Sequence, residues 1–232
     1  MPIDLEKLPT GLVDLTKTAA TSLRKRGLSN QRAAVYLVLD RSGSMRGYYR
    51  DGSVQHLAEQ ALALSANLDD DGIVPTVFFD TDAHPVVDIS LDNHHGSIAR
   101  LHSALGHMGT TNYAAAMDEV IDHYLDTGTE DPGFVIFQTD GGPDSRRAAE
   151  QTLCKAAKLP LFWQFIGFGP DRFDFLRKLD ELAVPRKRVV DNAGFFPAGR
   201  NPQRMSDANL YDRLMGEFPD WLATARAAGI LR

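Results

Sequence analysis

Short apolar runs alternate with amphipathic stretches along this chain. Residues 33–39 (AAVYLVL), 73–79 (IVPTVFF), 134–138 (FVIFQ) and 161–168 (LFWQFIGF) are apolar and partly β-branched or aromatic, the pattern of buried strands. Pro75 places the second of these near an edge or a bulge. Residues 84–89 alternate as an edge strand does, and 188–190 begin a short last strand. In the intervening stretch 54–68, Leu57, Ala61, Leu64 and Leu68 fall on one helical face, and 98–105, 113–125, 146–158 and 173–182 also read as helices. This order predicts an α/β fold: a mostly parallel six-stranded sheet, one antiparallel edge strand, and helices on both faces. Ligands of such sheets bind at the carboxyl ends of the strands, where the strand order reverses. The loops after Leu39 and Gln138 are therefore the places to look for chemistry.

Two segments flank this core, which spans 30–192. Residues 1–29 place Leu12, Leu15, Ala19 and Leu23 at helical spacing and end in Arg24, Lys25, Arg26 and the stop signal Gly27. Residues 193–232 open with a Gly/Pro-rich loop. A helix follows, carrying Leu210, Leu214, Phe218 and Leu222, with Pro219 placed to break or kink it. Both helices are expected to cover the sheet, with a detachable partner-binding helix as the alternative.

Composition narrows the class. The 232 residues hold one cysteine, Cys154, which excludes a disulfide scaffold or a cysteine zinc cluster and suits a reducing, cytoplasmic compartment. No apolar run is long enough for a membrane span, and the start, MPIDLEKLPTG, lacks the apolar stretch of a signal peptide. The net charge of −6 is uneven: residues 51–99 carry no Lys or Arg and nine Asp or Glu, whereas 145–232 carry fifteen Lys or Arg against ten acids. An acidic centre disfavours a phosphate backbone, so no nucleic acid is expected, and favours a cation or a basic partner.

Three loops carry the candidate chemistry: Asp40-Arg41-Ser42-Gly43-Ser44-Met45, Gly109-Thr110-Thr111-Asn112-Tyr113, and Thr139-Asp140-Gly141-Gly142-Pro143-Asp144. Alternation in an extended loop lets Asp40, Ser42 and Ser44 face one ion, and Asp140 faces the same crevice from a neighbouring strand. These are hard oxygen ligands suited to one divalent cation, Mg²⁺ first, with Mn²⁺ or Ca²⁺ as alternatives. The set Asp40-x-Ser42-x-Ser44, Thr111 and Asp140 resembles the metal-ion-dependent adhesion site (MIDAS) of von Willebrand factor A (vWA) domains. LVLDRSGSM, GTTNYAAAM, FWQFIGFG with FDFLRKLDEL, and LYDRLMGEFPDWL resemble the bacterial vWA proteins of tellurite-resistance and stress operons.

The resemblance implies a three-layer, Rossmann-like vWA fold. It implies that the Ser42, Ser44 and Thr111 hydroxyls contact the ion while Asp40 and Asp140 act through water. It further implies that a protein partner supplies a Glu or Asp to complete the coordination. Thr110 competes with Thr111 for the third position, and Thr111 is preferred because the family pattern has Thr immediately before Asn112-Tyr113.

Arg41, Arg46, Tyr48 and Tyr49 lie beside the metal loop and are candidate partner contacts. Asp144 with Ser145 reads as a helix cap, Asp80 and Asp82 as turn residues in preference to a second Ca²⁺ site, the histidines as non-ligands, and Cys154 as a buried structural thiol. The expected function is a metal-dependent protein-interaction module, not an enzyme. The alternative is a Mg²⁺-dependent phosphoryl-transfer enzyme using Asp40 and Asp140. Against it, Ser42 stands where the haloacid-dehalogenase type needs a second Asp, and Ile166-Gly167-Phe168-Gly169 supplies no receiver-type Lys.

Overall fold

A computed structural model of the chain describes residues 3, 6, 8–184 and 186–231. The reading of the first residues as free of a leader falls largely outside these. The strands are β1 (Ala34–Asp40), β2 (Ile73–Phe79), β3 (Val87–Ser90), β4 (Gly133–Thr139), β5 (Leu161–Phe168) and β6 (Ala193–Gly199). The helices are α1 (Thr10–Lys25), α2 (Arg46–Arg50), α3 (Ser53–Leu68), α4 (Ser97–Ala104), α5 (Tyr113–Thr127), α6 (Arg146–Ala156), α7 (Asp174–Asp180), α8 (Asp207–Leu214) and α9 (Phe218–Ala227). The six strands form one sheet in the order β3-β2-β1-β4-β5-β6, and only β3 is antiparallel.

Both faces of the sheet are covered, which is why the central strands are apolar without interruption. Along β1, Val35, Leu37 and Leu39 pack under α1, α3, α8 and α9, while Tyr36 and Val38 join the α5–α6–α7 core on the other face. The aromatic stack of Phe134, Phe162, Phe218 and Trp221 ties α9 to the sheet. Asp212 of α8 accepts hydrogen bonds from Ser22 and Lys25 of α1, so the two flanking segments are joined to each other as well as to the core. Among the described residues, no helix is long and apolar enough to cross a membrane.

The structure revises several sequence expectations. The last strand is 193–199, not 188–190, so β6 lies in the stretch read as a Gly/Pro-rich loop. Pro197 is tolerated because β6 is the outer strand of the sheet. Pro75 sits one strand in from the other edge, and pairing with β1 begins just past it, at Thr76. The C-terminal helix is two helices: α8 stops at Leu214, and Pro219 occupies the first turn of α9, where its missing N–H costs nothing. Cys154 is half-buried, and burial pushes its thiol up, away from reactivity.

The junction of α8 and α9 contains an unusual acid. The Glu217 residue is partly exposed, but its Oε1 points inward, 2.9 Å from where a Cβ on Gly194 would stand. Burial, with Asp180 and Asp191 nearby, pushes its carboxyl up to about 7. A carboxyl raised in the folded state favours the folded protein when protonated. That contribution is full below the ordinary glutamate value near 4.5 and is lost as pH rises through about 7. Glu217→Gln should therefore raise stability at pH 8 by about 1 kcal/mol, or about 2–4 °C in Tm, after discounting for partial exposure. Little change is expected at pH 5. Thermal melts of both proteins at the two pH values check this, and an equal shift at both would refute it.

Candidate metal centre

The strand order reverses at β1, which pairs with β2 on one side and β4 on the other. The β1/β4 register brings Leu39 opposite Gln138, so Asp40 and Thr139 end their strands side by side. The Thr139 hydroxyl donates to Asp40 Oδ2 at 2.6 Å, and the Ser42 backbone N–H donates to Asp40 Oδ1 at 2.6 Å. Asp40 is fully buried, and burial pushes its carboxyl up to about 6, against the pull of these two donors. Ser42 Oγ lies 3.2 Å from Ser44 Oγ, and Ser44 Oγ donates to Asp140 Oδ1 at 2.8 Å. Burial also raises the Asp140 carboxyl.

The third loop is pinned beside these two. The Gly43 N–H donates to the Gly109 carbonyl at 3.1 Å, and Ser42 and Gly109 form a parallel bridge. A Cβ on Gly109 would run into Thr81 and Asp80, so only glycine permits this approach. Asn112 caps α5, accepting from the Ala115 N–H, while its own amide holds the Thr81 carbonyl. Asp144 does not cap the next helix; Ser145 does, accepting from the Ala148 N–H. Asp144 Oδ2 instead accepts from the Thr110 hydroxyl at 2.6 Å and the Thr111 N–H at 3.0 Å. The Thr110 hydroxyl is thereby committed, whereas the Thr111 hydroxyl has no hydrogen bond within the described chain. Tyr113 is a strut: fully buried, it donates to the Gly141 carbonyl and to Thr139 Oγ1 beneath the site.

Arg41, expected among the partner contacts, points the other way. It is fully buried and donates to Asp80 Oδ2 at 2.6 Å and to the carbonyls of His107 and Gly106. Burial alone would raise Asp80, but hydrogen bonds from His84, the Thr81 N–H and Arg41 hold it below the usual range. Arg41 is thus an internal brace between the loop after β1, the loop after β2 and the 106–107 turn. Tyr49 is half-buried, donates to the Asp40 carbonyl and stacks on His102 at 4.1 Å. Tyr48 is half-buried, edge-on to Phe168, and Arg46 is exposed.

The residues present suit a hard divalent ion. Neither Asp40, which is buried, nor Asp140, which is half-buried, has an ion-pair partner among the described residues, so a cation bound in the crevice would stabilise their ionised forms. The 3.2 Å between the Ser42 and Ser44 hydroxyl oxygens is close to the oxygen–oxygen edge of about 3 Å that an octahedron with Mg²⁺–oxygen distances near 2.1 Å requires, and Asp140 lies behind Ser44 at 2.8 Å. Among the described residues, no group of three or more His, Cys, Asp and Glu side chains is placed to hold a metal. Hydroxyls must therefore supply most of any coordination here.

Sheet order and crevice together define a vWA domain. The fold matches a von Willebrand factor type A protein from Catenulispora acidiphila (TM-score 0.55, 17% identity, 81% of this chain and 42% of that one). It also matches the manganese-loaded TRAP protein of Plasmodium vivax (TM-score 0.55, 23% identity, 82% of this chain and 74% of that one). The chain thus spans less than half of the Catenulispora structure. The family model described as "vWA found in TerF C terminus" covers residues 32–231, and this chain belongs to that vWA-TerF-like family. It is 34% identical over 234 residues to the uncharacterized protein YcbR of Bacillus subtilis (strain 168), covering 99% of this chain and 90% of YcbR.

Proposed function

We propose that this chain is a divalent-cation-dependent protein-docking module of a bacterial stress-response system, with tellurite resistance as its setting, and that it is not an enzyme. The observation that carries the reading is a pair of carboxylates without an ion-pair partner among the described residues, Asp40 and Asp140, beside the Ser42 and Ser44 hydroxyls, whose oxygens stand 3.2 Å apart. Ser42, Ser44 and Thr111 would hold the ion, with Asp40 and Asp140 behind them. An ion held mainly by neutral hydroxyls keeps much of its positive charge and attracts a carboxylate from a partner. Mg²⁺ is the expected ion, with Mn²⁺ or Ca²⁺ as substitutes; the manganese of the TRAP structure is in keeping with this. The buried position of Asp40, with both oxygens engaged, suits a structural acid better than a phosphoryl-accepting nucleophile. The family description, with its reference to TerF, supports the tellurite setting.

A pull-down from a bacterial lysate in Mg²⁺ and in EDTA, read by mass spectrometry, tests the reading. The retained partner should vanish in EDTA, return with Mg²⁺ or Mn²⁺, and be lost from the Ser42→Ala/Ser44→Ala variant. A partner retained equally in EDTA would place recognition on another face.

A further inference from the structure

Six exposed arginines lie around the crevice: Arg46 and Arg50 on α2, Arg146 and Arg147 opening α6, Arg172 in the loop after β5, and Arg200 just past β6. They come from four separate loops at the carboxyl ends of β1, β4, β5 and β6, and the positive residues there are arginines, not lysines, in a chain of net charge −6. The sequence makes the centre of the chain acidic, and several of those acids border the crevice. The structure turns several of the rim's acids to local tasks: Asp51 holds Ser53, Asp171 accepts from the Phe173 N–H, and Asp144 clamps Thr110 and Thr111. Among the described residues, Arg46, Arg50, Arg147 and Arg200 make no ion pair. Arg172 faces Asp174 at 3.6 Å with both largely exposed, and Arg146 lies over the Phe175 ring.

Two of these positions break a local rule: Arg146 and Arg147 open α6 with no acid in its first turn. The positive end of a helix dipole disfavours cations there, so these arginines weaken the helix they begin. Arg146 is offset in part by the Phe175 ring beneath it, whereas Arg147 makes no ion pair among the described residues, and a residue that works against its own helix belongs to a site more often than to the scaffold. Planar guanidinium forks are suited to carboxylates, which they bind in pairs of hydrogen bonds.

Resting on the docking function above, we infer that the partner segment is an acidic stretch of a protein, several carboxylates long: one acid meets the metal and its neighbours meet the arginine rim. The test uses the full chain and two fluorescent peptides, one with a single Glu among Gly and Ser, the other with that Glu flanked by four more. In Mg²⁺ the acidic peptide should bind at least about tenfold tighter than the single-Glu peptide, as several surface ion pairs would give, and the difference should shrink at high salt. The Arg146→Gln/Arg147→Gln/Arg200→Gln variant should lose that advantage, keep its Mg²⁺ affinity by calorimetry, and melt no lower than wild type. Undiminished binding of the acidic peptide by this variant overturns the arginine rim while leaving the metal site standing; so does a wild type that binds Mg²⁺ but neither peptide. Full binding of the acidic peptide in EDTA overturns the docking reading and this inference with it. Tighter binding of a single-stranded DNA oligonucleotide at the same salt overturns the assignment to a protein partner.

Discussion

Arg41→Met should cost about 3–5 kcal/mol of stability and lower the melting temperature by about 6–20 °C. The substitution keeps a long apolar stem but removes the guanidinium paired with Asp80, leaving that carboxylate, among the described residues, with His84 and the Thr81 N–H. It also removes the hydrogen bonds that Arg41 donates to the carbonyls of Gly106 and His107 in the surface turn. Exposed ion pairs such as Lys25–Asp212 should yield less than about 1 kcal/mol by the same measurement. The double variant Arg41→Met/Asp80→Leu should recover part of the loss, since much of it is the penalty for an unpaired buried charge. Denaturant melts of the four proteins complete the cycle. A single-variant loss below about 1 kcal/mol would show that Arg41 is not a brace. The loosening should also reach the third loop, because the Asn112 N–H is held by the Asp80 carbonyl.

The second large effect concerns the ion. Asp140→Ala should lower Mg²⁺ or Mn²⁺ affinity by about 10–100-fold, the usual consequence of removing a group that orients metal-bound oxygens. Asp140 accepts from Ser44 Oγ, so its loss removes both a negative charge and the fixed rotamer of a hydroxyl ligand. Burial works against the ionised Asp140 in metal-free protein, so its removal should leave the melting temperature in EDTA unchanged or higher. That combination of lost affinity with retained stability separates a ligand defect from a folding defect. His94→Ala, far along the chain with its Nδ1 on the Leu91 carbonyl, should leave affinity alone. Equal affinity of wild type and Asp140→Ala in a calorimeter would mean the ion, if bound, sits elsewhere.

The sequence was most readable where burial is total. β1, β4 and β5 are apolar on both faces, so no register or partner was needed to recognise them. β6 was unreadable for the converse reason. Its residues AGFFPAG include two glycines and a proline, and nothing in them says strand until β5 offers an edge to pair with. The two metal loops after β1 and β4 could be found because their donors are local and alternate. The roles of Arg41 and Asp144 depend on partners 39 and 34 residues away, Asp80 and Thr110. Alternation told that Arg41 points away from the ion, but not whether away meant solvent or interior. Likewise, an acid beside Ser145 satisfies the rules of a helix cap equally well whichever of the two accepts the bond.

The hydrogen bond from Thr139 to Asp40 spans 99 residues of chain. At ribosomal speeds of about 5–20 residues per second, some 5–20 seconds separate the synthesis of the two halves of the crevice. During that interval β1, β2 and β3 can pair with one another, but no ion site exists, because its second carboxylate has not yet been made. An ion bound as proposed would bind only the closed sheet and draw it from the unfolding equilibrium, so free metal would favour completion of the fold. Contacts this far apart also favour slow folding. A cell short of the cation would accumulate chains that have both halves but are less firmly committed to joining them.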